Sequence, residues 1–163
     1  MRDITFNEFP FKKGTLLLEQ FRGGRLIATR GKTFYFGNVP IIGGAPNLVT
    51  NAGKALFANL FIGTGTAPTH IALGTGTDAA AASDTALGTE VYREAATRSR
   101  VTITVANDTS QYTYTFPIDA TYSLTEAGLL NAASGGTLCC RQVYTALPVL
   151  DADSVKATWR LQH

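Results

Sequence analysis

Two stretches with a period of two, Arg98-Ser99-Arg100-Val101-Thr102-Ile103-Thr104-Val105 and Gln111-Tyr112-Thr113-Tyr114-Thr115-Phe116, restrict the fold more than anything else in the chain. Successive side chains of a strand point to opposite faces, so this alternation suits half-buried strands and not a helix. Asn107-Asp108 between them punctuates a loop running to Ser110, and the pair reads as a hairpin. Further strands are expected at His70 to Leu73, Leu124 to Ala132, Thr137 to Thr145 and Ser154 to Gln162, with Gly135-Gly136 as a second hairpin turn.

One helix interrupts this pattern. Ala52, Ala55, Leu56, Leu60 and Ile62 fall near helical spacing, with Phe57 and Phe61 widening the face. Thr50 or Asn51 supplies the N-cap, and Gly63 suits the stop. The expected fold is mainly β: an antiparallel β-sandwich with one short α-helix over about 51 to 62 and an extended N-terminal arm. The sandwich is assigned residues 47–163 and the arm residues 1–46. Within the arm, Thr15 to Glu19 and Arg25 to Thr29 form a possible hairpin around Gly23-Gly24, and Val39 to Pro46 reads as a loop.

The arm is also where charge and aromatic surface concentrate. Residues 1–35 hold seven Lys/Arg against three Asp/Glu, and the rest of the chain holds seven against nine. Phe6, Phe9, Phe11, Phe34, Tyr35 and Phe36, with Arg22 and Arg25, are the candidate interaction residues. A buried aromatic is worth roughly 1.5–3 kcal/mol and a rim charge about 1 kcal/mol or less, so apolar contact should hold a partner and charge should guide its approach. The expected partner surface is a neighbouring subunit in a ring or trimer; packing back on the chain's own body as extra strands is the alternative. The arm lacks the dense Lys/Arg clustering of a nucleic-acid arm, so nucleic acid is not the expected partner. Only 16% of residues are charged, which suggests a surface partly covered by partners. No run of 18 apolar residues suggests a membrane span, and the first residues carry acids and no apolar stretch of a signal peptide.

Candidate chemistry is sparse. Gly74-Thr75-Gly76-Thr77-Asp78-Ala79 fits the G-x-G-x-x-A dinucleotide fingerprint after a strand, with Glu94 twenty residues on from Gly74. The segment that follows is broken by Ser83-Asp84-Thr85 and Gly88, so no long helix offers its N-terminus to a pyrophosphate. A tight turn on a sandwich, with Gly supplying positive φ, is the expected reading. Cys139 and Cys140 are adjacent in a strand, pointing to opposite faces, and read as two reduced thiols rather than metal ligands. A Ser-His-Asp triad would need His70, at the start of a strand beside a loop, but nothing near a Ser resembles a nucleophile elbow. Glu90, Glu94 and Glu126 are candidates for an acid–base pair or for salt bridges to neighbours such as Arg93 or Arg98. Trp159 reads as a core or sheet-face aromatic. No catalytic residue, cofactor or metal site is expected, and the chain is not expected to be an enzyme.

Several segments in order carry a resemblance. They are Asn47-Leu48-Val49-Thr50-Asn51-Ala52-Gly53; Thr69-His70-Ile71-Ala72-Leu73-Gly74-Thr75-Gly76 with Thr85-Ala86-Leu87-Gly88-Thr89-Glu90-Val91-Tyr92-Arg93; Glu126-Ala127-Gly128-Leu129-Leu130-Asn131-Ala132; and the closing Ser154 to Trp159. Together they resemble the small β-rich virion proteins of tailed bacteriophages, in particular tail-collar and tail-fibre attachment domains, over roughly residues 47 to 161. The resemblance implies a structural role in the virion, synthesis in the host cytoplasm, partners among tail, connector or capsid subunits, and no catalytic residues. Tail-fibre proteins usually continue into a shaft and tip, whereas this chain stops at His163, so the expectation is a stand-alone adaptor, collar or tail-attachment piece. Alternatives are a capsid decoration or cement protein, a small-ligand or carbohydrate-binding module using the Gly74 loop, and a lectin-like host-binding tip.

Overall fold

The structure, a computed structural model, describes residues 13–36, 39–43, 45–46 and 48–163, with side chains described for residues 14–31 and 48–163. The strands are β1 (Lys13–Arg22), β2 (Arg25–Arg30), β3 (Lys32–Phe36), β4 (Val39–Gly43), β5 (Ala45–Pro46) and β6 (Leu48–Val49) before the helix α1 (Asn51–Phe61). After it come β7 (His70–Gly74), β8 (Glu90–Ala95), β9 (Thr97–Val101), β10 (Thr109–Pro117), β11 (Tyr122–Leu130), β12 (Leu138–Val149) and β13 (Ser154–Gln162). All pairing is antiparallel. One sheet runs β2-β1-β13-β10-β9, with β5 also on β1; the other runs β6-β12-β11-β7-β8; β3 and β4 pair with each other.

The expected sandwich is present. Leu16, Leu18, Tyr112, Phe116, Val155, Ala157, Trp159 and Leu161 from the first sheet meet Ile71, Leu73, Ala127, Leu129, Leu147 and Val149 from the second in one core. Burying such side chains is the main force holding the sheets together. Gly23-Gly24 and Gly135-Gly136 all have positive φ, which is what tight turns of this kind demand. The helix begins at Thr50, whose hydroxyl accepts from the Gly53 N–H (2.9 Å). It stops at Phe61, two residues before Gly63, which has a φ of 79° and its N–H on the Leu60 carbonyl. Leu56 and Phe57 are buried, whereas Phe61 and Ile62 lie on the exposed side, so the buried stripe is narrower than the sequence suggested.

Three expectations change, the first being that Val39 to Pro46, read as a loop, carries the strands β4 and β5, paired with β3 and β1. The strand expected over 98–105 stops at Val101, because the Asp108 carboxylate takes the N–H groups of Ile103, Thr104 and Val105 and turns the chain. Residues 13–30 are not an arm. β1 is an interior strand, paired with β13 from Lys13 to Phe21 on one side and with β2 on the other, and Leu16 and Leu18 are core residues. An apolar alternation of this length finds its burial in the chain's own sheet. Among the described residues no helix is long and apolar enough to cross a membrane.

Candidate functional site

β11 departs from the ordinary alternation of a sandwich strand, since every residue from Leu124 to Leu130 is buried. Ala127 and Leu129 point into the main core, so Glu126, Gly128 and Leu130 lie on the outer face of their sheet. That face is covered by the long connection between β7 and β8. Leu87 from this connection joins Ala72, Leu130 and Leu138 in a second small core. Gly128 makes room for it: a Cβ there would lie 2.9 Å from Leu138 Cδ1 and 3.0 Å from Leu87 Cδ2.

At the other end of the covered face sits Glu126, fully buried. Gly76 N–H (2.9 Å) and Thr89 N–H (2.7 Å) donate to its Oε1, and Gly88 N–H (3.0 Å) donates to Oε2. Arg141, on β12, donates to Oε2 from Nε (3.0 Å) and Nη2 (2.8 Å). The same guanidinium reaches Asp84 Oδ2 (2.7 Å) and the Asp78 carbonyl (3.2 Å), both in the connection. Thr125 Oγ1 donates to the Gly76 carbonyl, and the Asn51 N–H at the start of α1 donates to the Ala82 carbonyl. Residues 75–89 are therefore a strap tied to the sheet and to the helix at several points.

The electrostatics follow from this geometry. Burial pushes the Glu126 carboxyl up, but the N–H groups of Thr89, Gly88 and Gly76 and the Arg141 guanidinium outweigh it, so its pKa falls below the ordinary value. The Ala81 N–H and, against some burial, Arg141 lower that of Asp84. Burial opposes the charge on Arg141, yet Asp84 and Glu126 raise its pKa. A buried ion in a protein is retained when its lone pairs and protons are satisfied, and here they are: among the described residues no buried side-chain polar atom lacks a partner.

This arrangement explains the glycine fingerprint. Gly74, Gly76 and Gly88 do not have the positive φ the sequence suggested. Their need is close approach. A Cβ on Gly76 would lie 2.4 Å from Glu126 Oε1, and one on Gly74 would lie 2.4 Å from the Thr89 carbonyl oxygen and 2.7 Å from Glu126 Oε1. The N–H groups that such a loop would offer a phosphate are directed at an anion the chain itself provides.

The other candidates are placed elsewhere. Glu90 pairs with Arg93 (2.6 Å), so Glu90 and Glu126 are committed to different cations. Glu94 is exposed on β8, opposite Ile71. His70 Nδ1 hydrogen-bonds Thr69 Oγ1, His163 Nε2 hydrogen-bonds Ser110 Oγ, and Trp159 is a core residue. Cys139 and Cys140 are buried with no disulfide, and burial pushes the Cys139 thiol up to about 12. Arg22 is spent on Asp153 (2.7 Å), bracing the turn between β12 and β13; Arg25 is exposed at the start of β2. Phe6, Phe9 and Phe11 lie outside the described residues, as do the side chains of Phe34, Tyr35 and Phe36 on β3. Arg141 was missed by sequence reasoning; its signal is a lone cation after the apolar Leu138-Cys139-Cys140.

A shallow groove of about 420 Å³ runs beside the strap, lined by Leu48, Thr77, Ala79, Ala80, Arg141, Gln142 and Val143. Apart from Arg141 its lining is uncharged, and that one charged group is already engaged by Glu126 and Asp84. Comparison of the chain with protein-family models, with curated proteins and with solved structures finds no match.

Proposed function

We propose that this protein is a structural component of a tailed-phage virion, an adaptor, collar or tail-attachment piece that joins virion parts and performs no chemistry. The observation that carries this reading is where the segments resembling attachment domains meet. Gly74 and Gly76, Gly88 and Thr89, and Glu126 come from three of those segments and converge on one buried carboxylate. A fourth segment supplies Asn51, whose N–H holds the strap at Ala82. The residues that carry the resemblance are used to build a rigid body and fix a loop on it, which is what a connector needs. On this reading the partners are other virion proteins and further copies of the chain in a ring or trimer, and the protein resides in the virion after synthesis in the host cytoplasm.

Immunogold electron microscopy of intact particles, with antibody against the purified protein, tests the proposal. Label at the tail, collar or neck is the expected result. Label spread over the capsid favours a decoration protein instead, and particles that carry no label and lack the chain by mass spectrometry contradict a virion role.

A further inference from the structure

One side of the sandwich ends in a single stretch of chain. β8 is the last strand of one sheet and β9 the last strand of the other, and only Ala96 separates them. The Ala96 N–H donates to the Thr69 carbonyl (2.8 Å), so the chain stays bonded to the body as it crosses from sheet to sheet. An edge strand leaves alternate N–H and C=O groups pointing outward, open to another strand. On β2, and on β12 beyond its short pairing with β6, side chains occupy carbonyls of this kind. Arg30 donates to those of Thr29 (2.9 Å), Thr145 (2.9 Å) and Ala146 (2.6 Å), and Gln142 Nε2 to that of Val143 (3.1 Å). Among the described residues, the backbone of residues 90–101 is bonded on one side only, toward β7 and β10 and through Ala96. The charges along this edge are ordered. Glu90 and Arg93 pair with each other, which leaves Glu94 on β8 and Arg98 and Arg100 on β9, all three exposed.

We propose that residues 91–101 are the edge by which two copies of this chain pair, antiparallel about a two-fold axis at Ala96. Charges on an edge strand ordinarily turn a second strand away. In this register they attract instead: Glu94 comes opposite Arg98 of the second copy, and Arg98 opposite its Glu94. Arg100 comes opposite Tyr92 of the second copy, whose hydroxyl is bonded to Asp119 (2.5 Å). Centring the pair on Thr97 would leave Arg98 opposite alanine, and centring it on Arg98 would set like charges against each other. β8 of each copy adds to β9 of the other, so each sheet runs on into a sheet of the second copy. The inference stands apart from the virion role: a contact of this kind closes on two copies, whatever larger assembly those copies enter.

Analytical ultracentrifugation of the full chain, from low to high micromolar concentration, tests the proposal together with three variants. The unaltered chain is expected to be a dimer in equilibrium with monomer. Glu94→Arg sets a cation opposite Arg98, and Arg98→Glu sets an anion opposite Glu94; each weakens the dimer by at least about tenfold. Glu94→Arg combined with Arg98→Glu restores opposite charges and with them the dimer. Both positions are exposed, so each variant should keep the circular dichroism of the unaltered chain. A chain that is monomeric throughout overturns the proposal, as does a dimer that both single variants leave unchanged. A combined variant no better at pairing than the single ones also overturns it. A trimer or larger ring indifferent to all three variants contradicts the pair while leaving the virion role standing.

Discussion

The strap at 75–89 and the turn at 102–108 use one device at two depths. In each, a carboxylate accepts three backbone N–H groups: Glu126 those of Gly76, Gly88 and Thr89, and Asp108 those of Ile103, Thr104 and Val105. Asp108 lies within five residues of its donors and at the surface. Glu126 comes from a strand 37 to 50 residues away, is fully buried, and needs a guanidinium and an apolar plug, Leu87, beside it. The difference teaches that a local anion-in-loop bond shapes a turn, while a long-range one joins separate parts of the chain. Removing the second should be felt by the whole fold.

The largest expected effect is therefore that of Glu126→Ala. It leaves Arg141 buried with only Asp84 as a charge partner and unseats three amides, at a cost of about 3–5 kcal/mol in a urea or guanidinium titration. A loss of less than about 1 kcal/mol would mean that the strap is not integral to the fold. Gly76→Ala comes next, because its Cβ meets the buried carboxylate; about 1–3 kcal/mol is expected. Gly24→Ala has open space around it and only a φ of 77° to strain it, so about 1 kcal/mol is expected. Equal losses from the two would remove the distinction between close approach and backbone conformation.

Acid should weaken the molecule through both devices. Burial pushes the carboxyls of Glu126 and Asp108 up, but hydrogen bonds outweigh it and both pKa values are lowered in the folded chain. The unfolded chain binds protons more readily, so stability is fully present above the unfolded values of about 4.3 and 3.9 and is lost as pH falls through the folded ones. Glu126→Gln should flatten the fall in stability below about pH 4, and Asp108→Asn should flatten it as well. The smallest effect is expected of Asp108→Ala, a modest fall in the transition midpoint with the faster hydrogen exchange centred on residues 102–108.

Much of the frame was legible in the sequence because its signals are local. The Gly23-Gly24 turn, the Thr50 cap, the Gly63 stop and the alternation at 111–116 each depend on neighbours a few residues away. Ser154 to Gln162 was read with the ends the structure has. The strap was not legible. Nothing near Glu126 in the chain marks it as the partner of Arg141, Gly76 and Gly88, and a lone acid in Leu124–Ala132 reads equally well as a surface residue or an acid–base candidate. The place of β1 was missed for the same reason: its pairing with β13 joins opposite ends of the chain. The glycines of the Gly74 loop were noticed for a conformation they do not adopt, since close approach to a distant side chain leaves no local mark.

The central claim is that the Gly74 loop is a strap whose anion is Glu126. Amide hydrogen exchange of Gly76, Gly88 and Thr89, followed by nuclear magnetic resonance in the unaltered protein and in Glu126→Ala, tests it most directly. The account predicts that in the unaltered protein these three amides exchange as slowly as the core of β11, and that in the variant all three exchange through local opening, faster than β11 itself. Three amides that stay as protected as β11 without the carboxylate would contradict it.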